Sequence, residues 1–181
     1  PGFDFNGPAH ETVAGFYQKN ILDGRRHSAA AAFLVPLLSR PNLEVRSHAQ
    51  ATRLVFSKHR VVGIDYQRDG VSETARAERE VILCGGAVES PKLLMLSGIG
   101  PAEPLRALGL KVVSNLAGVG GNLQDHLRLS IRFQGKTVLP GSTVTAGLFT
   151  SSLAQAKAPA TSIPDLQFYV GRGLDQPDRF I

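Results

Sequence analysis

EVILCGGAVESPKLLMLSGIGP, residues 80–101, decides the fold class. Its first five residues, Glu80–Cys84, are an apolar run without alternation, the pattern of a strand buried on both faces in a parallel sheet. The run ends on Gly85, Gly86 and Ala87, whose small side chains let another object approach the backbone closely. Ser90 stands as an N-cap and Pro91 as a first helical residue, so the spacing predicts a short helix over Lys92–Ser97, which Gly98 ends in a left-handed cap. Strand, glycine turn and helix N-terminus together make an α/β element. Such a turn can face a phosphate or a flat cofactor, or it can simply pack; the glycines alone leave both readings open.

On the N-terminal side, residues 1–27 lack a sustained period and read as an irregular segment with a short strand near Gly15–Gln18. Ser28 caps an alanine-rich helix that runs to about Ser39, bends at Pro36 and stops at Pro41. From Leu43 the period changes to two. Leu43–Ser47, Thr52–Phe56 and Arg60–Gln67 read as strands, and Asp69-Gly70 as a hairpin turn leading to a polar strand around Val71–Ala77. On the C-terminal side, Pro101 opens a helix over Ala102–Leu108, ended by Gly109. Lys111–Val113 reads as a strand, residues 115–121 as a glycine-rich loop, 127–133 as a half-buried antiparallel strand, 135–164 as loop and Leu166–Val170 as a last strand. A boundary is expected near Gln124, where alternating strands replace parallel-sheet character.

The chain has 181 residues, of which 43% are hydrophobic and 19% charged. That is ordinary globular usage and excludes disorder or a fibrous repeat. A single cysteine, Cys84, excludes an internal disulfide framework and any multi-cysteine metal site, and no metal ligand set is assigned. At the end of a buried strand, Cys84 is expected to serve as a small core hydrophobe. No apolar run is long enough to span a membrane, and no signal peptide opens the sequence. The net charge of +5 comes from scattered basic residues with no interleaved aromatics, so a solvated surface is expected and no nucleic-acid partner. The first residue is Pro1 and the only methionine is Met95, which is expected of an interior piece of a longer protein.

Several chemistries are absent from the motifs. There is no G-x-S-x-G nucleophile elbow, no HExxH and no acidic calcium loop. Neither Gly85-Gly86 nor Gly118-Val119-Gly120-Gly121 has the spacing of a dinucleotide fingerprint. Asp125 and His126 are adjacent, and adjacent residues on a strand would point to opposite faces, so a structural role is expected of the pair.

Beyond these generic features, GGAVESPKLLMLSGIGP (85–101) resembles the second signature of the glucose–methanol–choline (GMC) family of flavin oxidoreductases. DFNGP (4–8), DGRRHSAAAAFL (23–34), RPNLEV (40–45), VVGIDYQRDG (61–70), REVILCGGA (79–87) and GVGGNLQDH (118–126) follow in that family's order and at its spacings. PDLQFYVG (164–171) is similar to a later strand of the family. The resemblance implies an FAD-binding domain with a parallel sheet and an antiparallel meander, plus part of an antiparallel-sheet substrate domain. Residues 28–124 would belong to the first, and 1–27 and 125–181 to the second.

The same resemblance implies FAD as cofactor, a small-molecule alcohol as substrate, and an electron acceptor that is a quinone, a dye or oxygen. It implies hydride transfer from a CH–OH group to the flavin while a base takes the hydroxyl proton. The family's pyrophosphate-binding GxGxxG and its catalytic histidine pair are not in this sequence, so no catalytic residue is assigned and the chain alone is expected to be inactive. His126 does not match that histidine. Ala51 stands where the family usually has a valine whose backbone meets the adenine. Gly85, Gly86 and Ala87 are further cofactor-side candidates, and Asn6 is a substrate-side one. A same-family oxidase and a non-catalytic nucleotide-binding module are the alternatives. The expected location is the cytoplasm or the periphery of the inner membrane.

Overall fold

The computed structural model describes residues 13–131, 146–152 and 164–171. They divide into two units, one spanning Leu38–Arg128 and the other made of the segments up to Leu37 and from Leu129 onward. The chain is a mixed α/β protein, although the one parallel pairing among the described residues is short.

The Leu38–Arg128 unit is built on three consecutive antiparallel strands, β4 (Ala49–Ser57), β5 (Arg60–Arg68) and β6 (Val71–Arg76), in that spatial order. Two-residue turns join them. Asp69-Gly70 has φ of 50° and 79°, the left-handed pair that a type I′ hairpin requires. Gly63 lies where β5 presses on β6: a Cβ there would come within 2.5 Å of the Ala75 carbonyl oxygen. After the meander come α1 (Gly86–Leu96), β7 (Ile99–Gly100), α2 (Ala102–Ala107) and β8 (Ser114–Asn115), with β7 and β8 paired in parallel. Gly98, at φ 86°, ends α1 as expected, and Gly109, at φ 71°, does the same for α2.

Buried Ser97 fastens α1 to the sheet. Its hydroxyl donates to the Leu93 carbonyl at 2.6 Å and accepts the Leu54 amide of β4 at 2.8 Å. The Asn115 side-chain oxygen accepts the Ala102 amide at 3.0 Å, capping α2 from a residue outside the helix. Among the described residues Leu105 is the most deeply buried side chain, at 1% exposure, with Leu54, Tyr66 and Ala102 also buried.

In the other unit, β1 (Val13–Phe16), β9 (Ala146–Thr150) and β10 (Leu166–Val170) form an antiparallel sheet with β9 in the middle. Gly147 makes room for the Tyr17 hydroxyl, while Tyr17 stacks on Tyr169 with ring centres 5.8 Å apart. The Ser152 amide and hydroxyl donate to the Asp165 carboxylate at 2.6 and 2.5 Å, which holds that carboxyl below its ordinary pKa. A small hairpin, β2 (Ile21–Leu22) with β3 (Arg25–Arg26), turns at Asp23-Gly24.

Several sequence expectations are corrected. Ser28 does cap, accepting the Ala31 amide at 3.2 Å, but the helix shrinks to a wide turn at Ala30–Leu34 and a 3-10 turn at Val35–Leu37. Pro36 cannot donate the bond a longer helix needs there. Helix α1 begins at Gly86, five residues before Pro91, which is carried inside it without its amide bond. Leu43–Ser47 and Glu80–Cys84 are not strands, and Cys84 is exposed. A parallel strand needs a partner from elsewhere in the sequence, and among the described residues neither segment has one.

The same reason removes the strand expected over 127–133: Leu127 is 93% exposed, and Leu129 and Ile131 are each 85% exposed, while residues 132 and 133 lie outside the described set. The strand expected at Lys111–Val113 falls instead at β8, fixed by Val113 and Ser114 amides donating to the Gly98 carbonyl. The region 135–164, expected to be loop, contains β9.

Candidate functional site

Among the described residues strand β4 stands at the edge of its sheet. Its inner side pairs with β5, with Ala49 opposite Arg68, Gln50 opposite Gln67 and Ala51 opposite Tyr66. The ladder then shifts by one residue between Ala51 and Arg53, a bulge in which the Thr52 hydroxyl donates to the Asp65 carbonyl at 3.1 Å. Bulges of this kind commonly mark places where a strand is re-aimed toward a site. At the outer edge of β4, α1 meets the strand at Leu54 through Ser97. Ala51 is exposed, with a side chain too small to cover its own backbone.

Gly85, Gly86 and Ala87 are contiguous and exposed at the N-terminus of α1. Gly86 has φ 80° and a Cβ on it would meet nothing within 4 Å, so its glycine answers to backbone conformation. Gly85 differs: a Cβ there would crowd the Ser90 amide and the Glu89 Cβ, both at 3.2 Å. These glycines therefore shape the helix start, and no side chain caps the positive end of this 11-residue helix. Glu89 in the first turn pairs with Lys92 at 3.1 Å. Ala51 and the glycine turn thus sit on two elements of one unit that pack on each other. Asn6 lies outside the described residues.

A side-chain network beside Ala51 was not visible in the sequence. Arg46 donates to the hydroxyl of buried Tyr66, which itself donates to Glu73 Oε2 at 2.7 Å. Arg46 Nη1 lies 3.7 Å from the same carboxylate oxygen, its guanidinium carbon is 5.6 Å from the Tyr66 ring centre, and its Nε meets Glu44 at 2.6 Å. The Glu44 hydrogen bond, then that to Tyr66, holds the Arg46 pKa above its ordinary value, and Arg46 in turn lowers that of Glu44. Spacing gave no signal for it, because Arg46 and Tyr66 are 20 residues apart.

Asp125 and His126 do not form a side-chain pair: the Asp125 carboxylate accepts the His126 backbone amide at 2.7 Å. Among the described residues no group of acids, histidines and cysteine is placed to hold a metal ion, and no helix is long and apolar enough to cross a membrane.

The family model described as GMC oxidoreductase matches residues 3–128. The human protein named choline dehydrogenase, mitochondrial, is 49% identical over 129 residues, covering 71% of this chain and 22% of its own length. An oxygen-dependent choline dehydrogenase of Burkholderia thailandensis is 44% identical over 133 residues, covering 74% of this chain and 24% of its own. The chain therefore spans about a fifth to a quarter of the length of the curated relatives it matches. Among solved structures, pyridoxine 4-oxidase from Mesorbium loti superposes with a TM-score of 0.53 at 35% identity, over 56% of this chain and 20% of that one. An FAD-dependent oxidoreductase from Chaetomium thermophilum gives 0.50 at 30% identity, over 51% and 16%.

Proposed function

Because this chain belongs to the GMC oxidoreductase family, we propose that it is the central part of an FAD-dependent enzyme that oxidises the CH–OH group of a small alcohol, in the manner of a choline-type dehydrogenase. The observation that carries this reading is the 49% identity to the human choline dehydrogenase across 129 residues. In this reading residues 28–124 serve the flavin side, and 1–27 and 125–181 the substrate side.

The residues present fit an adenine-bearing cofactor. Ala51 stands on a strand at the edge of the described sheet, beside a bulge, with a small and exposed side chain. Adenine offers a complementary donor and acceptor along one edge, so a strand edge suits it. The start of α1, at Gly85, Gly86 and Ala87 and without a side-chain cap, suits a negatively charged or polar part of the cofactor. The chemistry that FAD would supply when bound is acceptance of a hydride from the carbinol carbon. This chain's share of the work is to bind and orient the cofactor. The base that takes the hydroxyl proton lies outside it, and none of its five histidines fills the role.

An oxidase that passes electrons to oxygen is the second reading, favoured by the likeness to pyridoxine 4-oxidase. Either enzyme would work in the cytoplasm or at the periphery of the inner membrane.

Substitution at Ala51 in the full-length protein tests the cofactor assignment. Ala51→Val keeps the backbone groups and is expected to keep FAD affinity. Ala51→Pro removes the N–H and fixes φ, and is expected to weaken FAD binding by about 1–3 kcal/mol, the cost of one unsatisfied polar partner. FAD titration and apoprotein melting on both variants separate this from unfolding. Wild-type FAD affinity in a folded Ala51→Pro protein overturns the assignment.

A further inference from the structure

The network of Arg46, Tyr66 and Glu73 ties the chain just ahead of β4 to the middle of the meander. Leu43–Ser47 is irregular and has no strand partner among the described residues. The chain then reverses at Ser47-His48, where His48 sits at φ 55°, a conformation that costs a non-glycine residue and persists only where its surroundings fix it. Three residues later it presents Ala51. Arg46 lies just before that reversal and reaches across to Tyr66, the residue directly opposite Ala51 on β5. Glu73 is in turn directly opposite Tyr66 on β6. One row across the meander therefore reads Ala51, Tyr66, Glu73, and Arg46 ties the incoming chain to the middle of it.

An ordinary surface ion pair would be worth little and would fix nothing. This network differs in that its central member is a buried phenol, 4% exposed, whose hydroxyl is used both as acceptor and as donor. If Arg46 swings into solvent the hydroxyl keeps Glu73 as a partner but loses a charge-assisted hydrogen bond, so the closed arrangement is favoured by that one bond.

We propose that Arg46, Tyr66 and Glu73 are positioning residues that set the protein's affinity for the adenine half of its cofactor by holding the Leu43–Ala51 corner in place. They act through the backbone of residues 48–51 and do not themselves contact the cofactor. The proposal rests on the reading of Ala51 as the adenine contact. It adds a determinant of affinity that lies behind that contact.

The test uses the full-length flavoprotein that carries this chain, stripped of FAD, with ADP and FMN as probes of the two halves of the cofactor. In the wild type both compete with FAD rebinding, read by flavin fluorescence. In Tyr66→Phe, FAD affinity and competition by ADP are expected to fall about tenfold, the scale of one lost hydrogen bond to a charged group. Competition by FMN stays unchanged, as does the spectrum of bound FAD. Glu73→Gln keeps an acceptor for the phenol and gives a smaller loss of the same kind. Arg46→Lys cannot reach Glu44, Tyr66 and Glu73 together, and it carries the measurement should Tyr66→Phe fail to fold.

Unchanged ADP competition in folded Tyr66→Phe and Arg46→Lys overturns the proposal while leaving Ala51 as the adenine contact. Equal losses for ADP and FMN overturn it too, because a merely structural role would weaken both halves. Wild-type protein in which FMN competes but ADP does not removes the adenine reading of Ala51, and the proposal with it.

Discussion

The β4–β6 meander and the three apolar segments Leu43–Ser47, Glu80–Cys84 and Leu127–Ile131 have similar strand-like sequences and opposite fates. In the meander each strand meets its partner two residues later, so pairing needs only a short turn and a small loop-closure cost. The three segments have no partner among the described residues, and large apolar side chains on them stand open: Ile82 is 73% exposed and Leu127 is 93% exposed. Apolar alternation specifies a face to be buried. It does not specify what buries it, and a parallel or distant partner cannot be read from the neighbouring sequence.

Truncation should separate the two regions by the widest margin. Leu105→Ala empties the most buried position, at 1% exposure, and is expected to cost about 2–5 kcal/mol, the range for a large-to-small change in a packed core. Leu129→Ala removes as many atoms from a side chain 85% exposed and is expected to stay within about 0.5 kcal/mol. Denaturant melts of the two variants under identical conditions check this. Equal losses would mean that the Leu127–Ile131 segment is covered in solution.

Ser97→Ala sharpens the same contrast at the joint between α1 and β4. The change leaves the Leu54 amide of the edge strand without its partner in a buried place, at a cost of about 1–3 kcal/mol. Hydrogen exchange should show the Leu54 amide losing protection first, ahead of the β5–β6 ladder. Uniform loss across all three strands would make Ser97 part of a single cooperative unit.

How far these features were legible follows from distance along the chain. Asp69-Gly70, the Ser28 cap and the closing glycines Gly98 and Gly109 were read correctly because each is a local decision between a residue and its immediate neighbours. The start of α1 was misread because Ser90-Pro91 is a good cap signal, yet packing of the helix on β4 and the left-handed turn at Gly86 prevail over it. Strand β9 was missed in a stretch rich in Gly, Ser and Thr, since its pairing with β1 reaches back more than a hundred residues. At the site, Ala51 came from the family resemblance alone. Tyr66, its cross-strand neighbour, carried no signal until the register was known.

A smaller effect is expected from polarity than from truncation. Replacing Leu127, Leu129 and Ile131 together by threonine should leave the thermal midpoint of this 181-residue chain almost unmoved, because exposed positions contribute little to folding. It should, however, lower the chain's binding of a hydrophobic dye, which reports open apolar surface. Undiminished dye fluorescence in the triple variant would place the accessible apolar surface elsewhere, with Ile82 or Phe33 the next positions to change.

The smallest effect concerns Glu44, where the irregular Leu43–Ser47 segment and the meander are tied together through Arg46. Arg46 donates to Glu44 at 2.6 Å and its charge adds to the hydrogen bond, so the folded carboxyl titrates below its ordinary value of 4.5. A depressed folded pKa means that the stabilisation is present above the unfolded value and disappears as pH falls through the folded one. Both side chains reach solvent, so the contribution is modest and weakened by salt. The difference in melting temperature between wild type and Glu44→Gln should therefore be constant at pH 6–8 and shrink to nothing as pH drops below the Glu44 pKa. A difference that persists in acid would assign the effect of Glu44→Gln to lost packing rather than to charge. No difference at neutral pH would show that the Leu43–Ser47 segment is held to the meander without Glu44, by Arg46 acting on Tyr66 and Glu73.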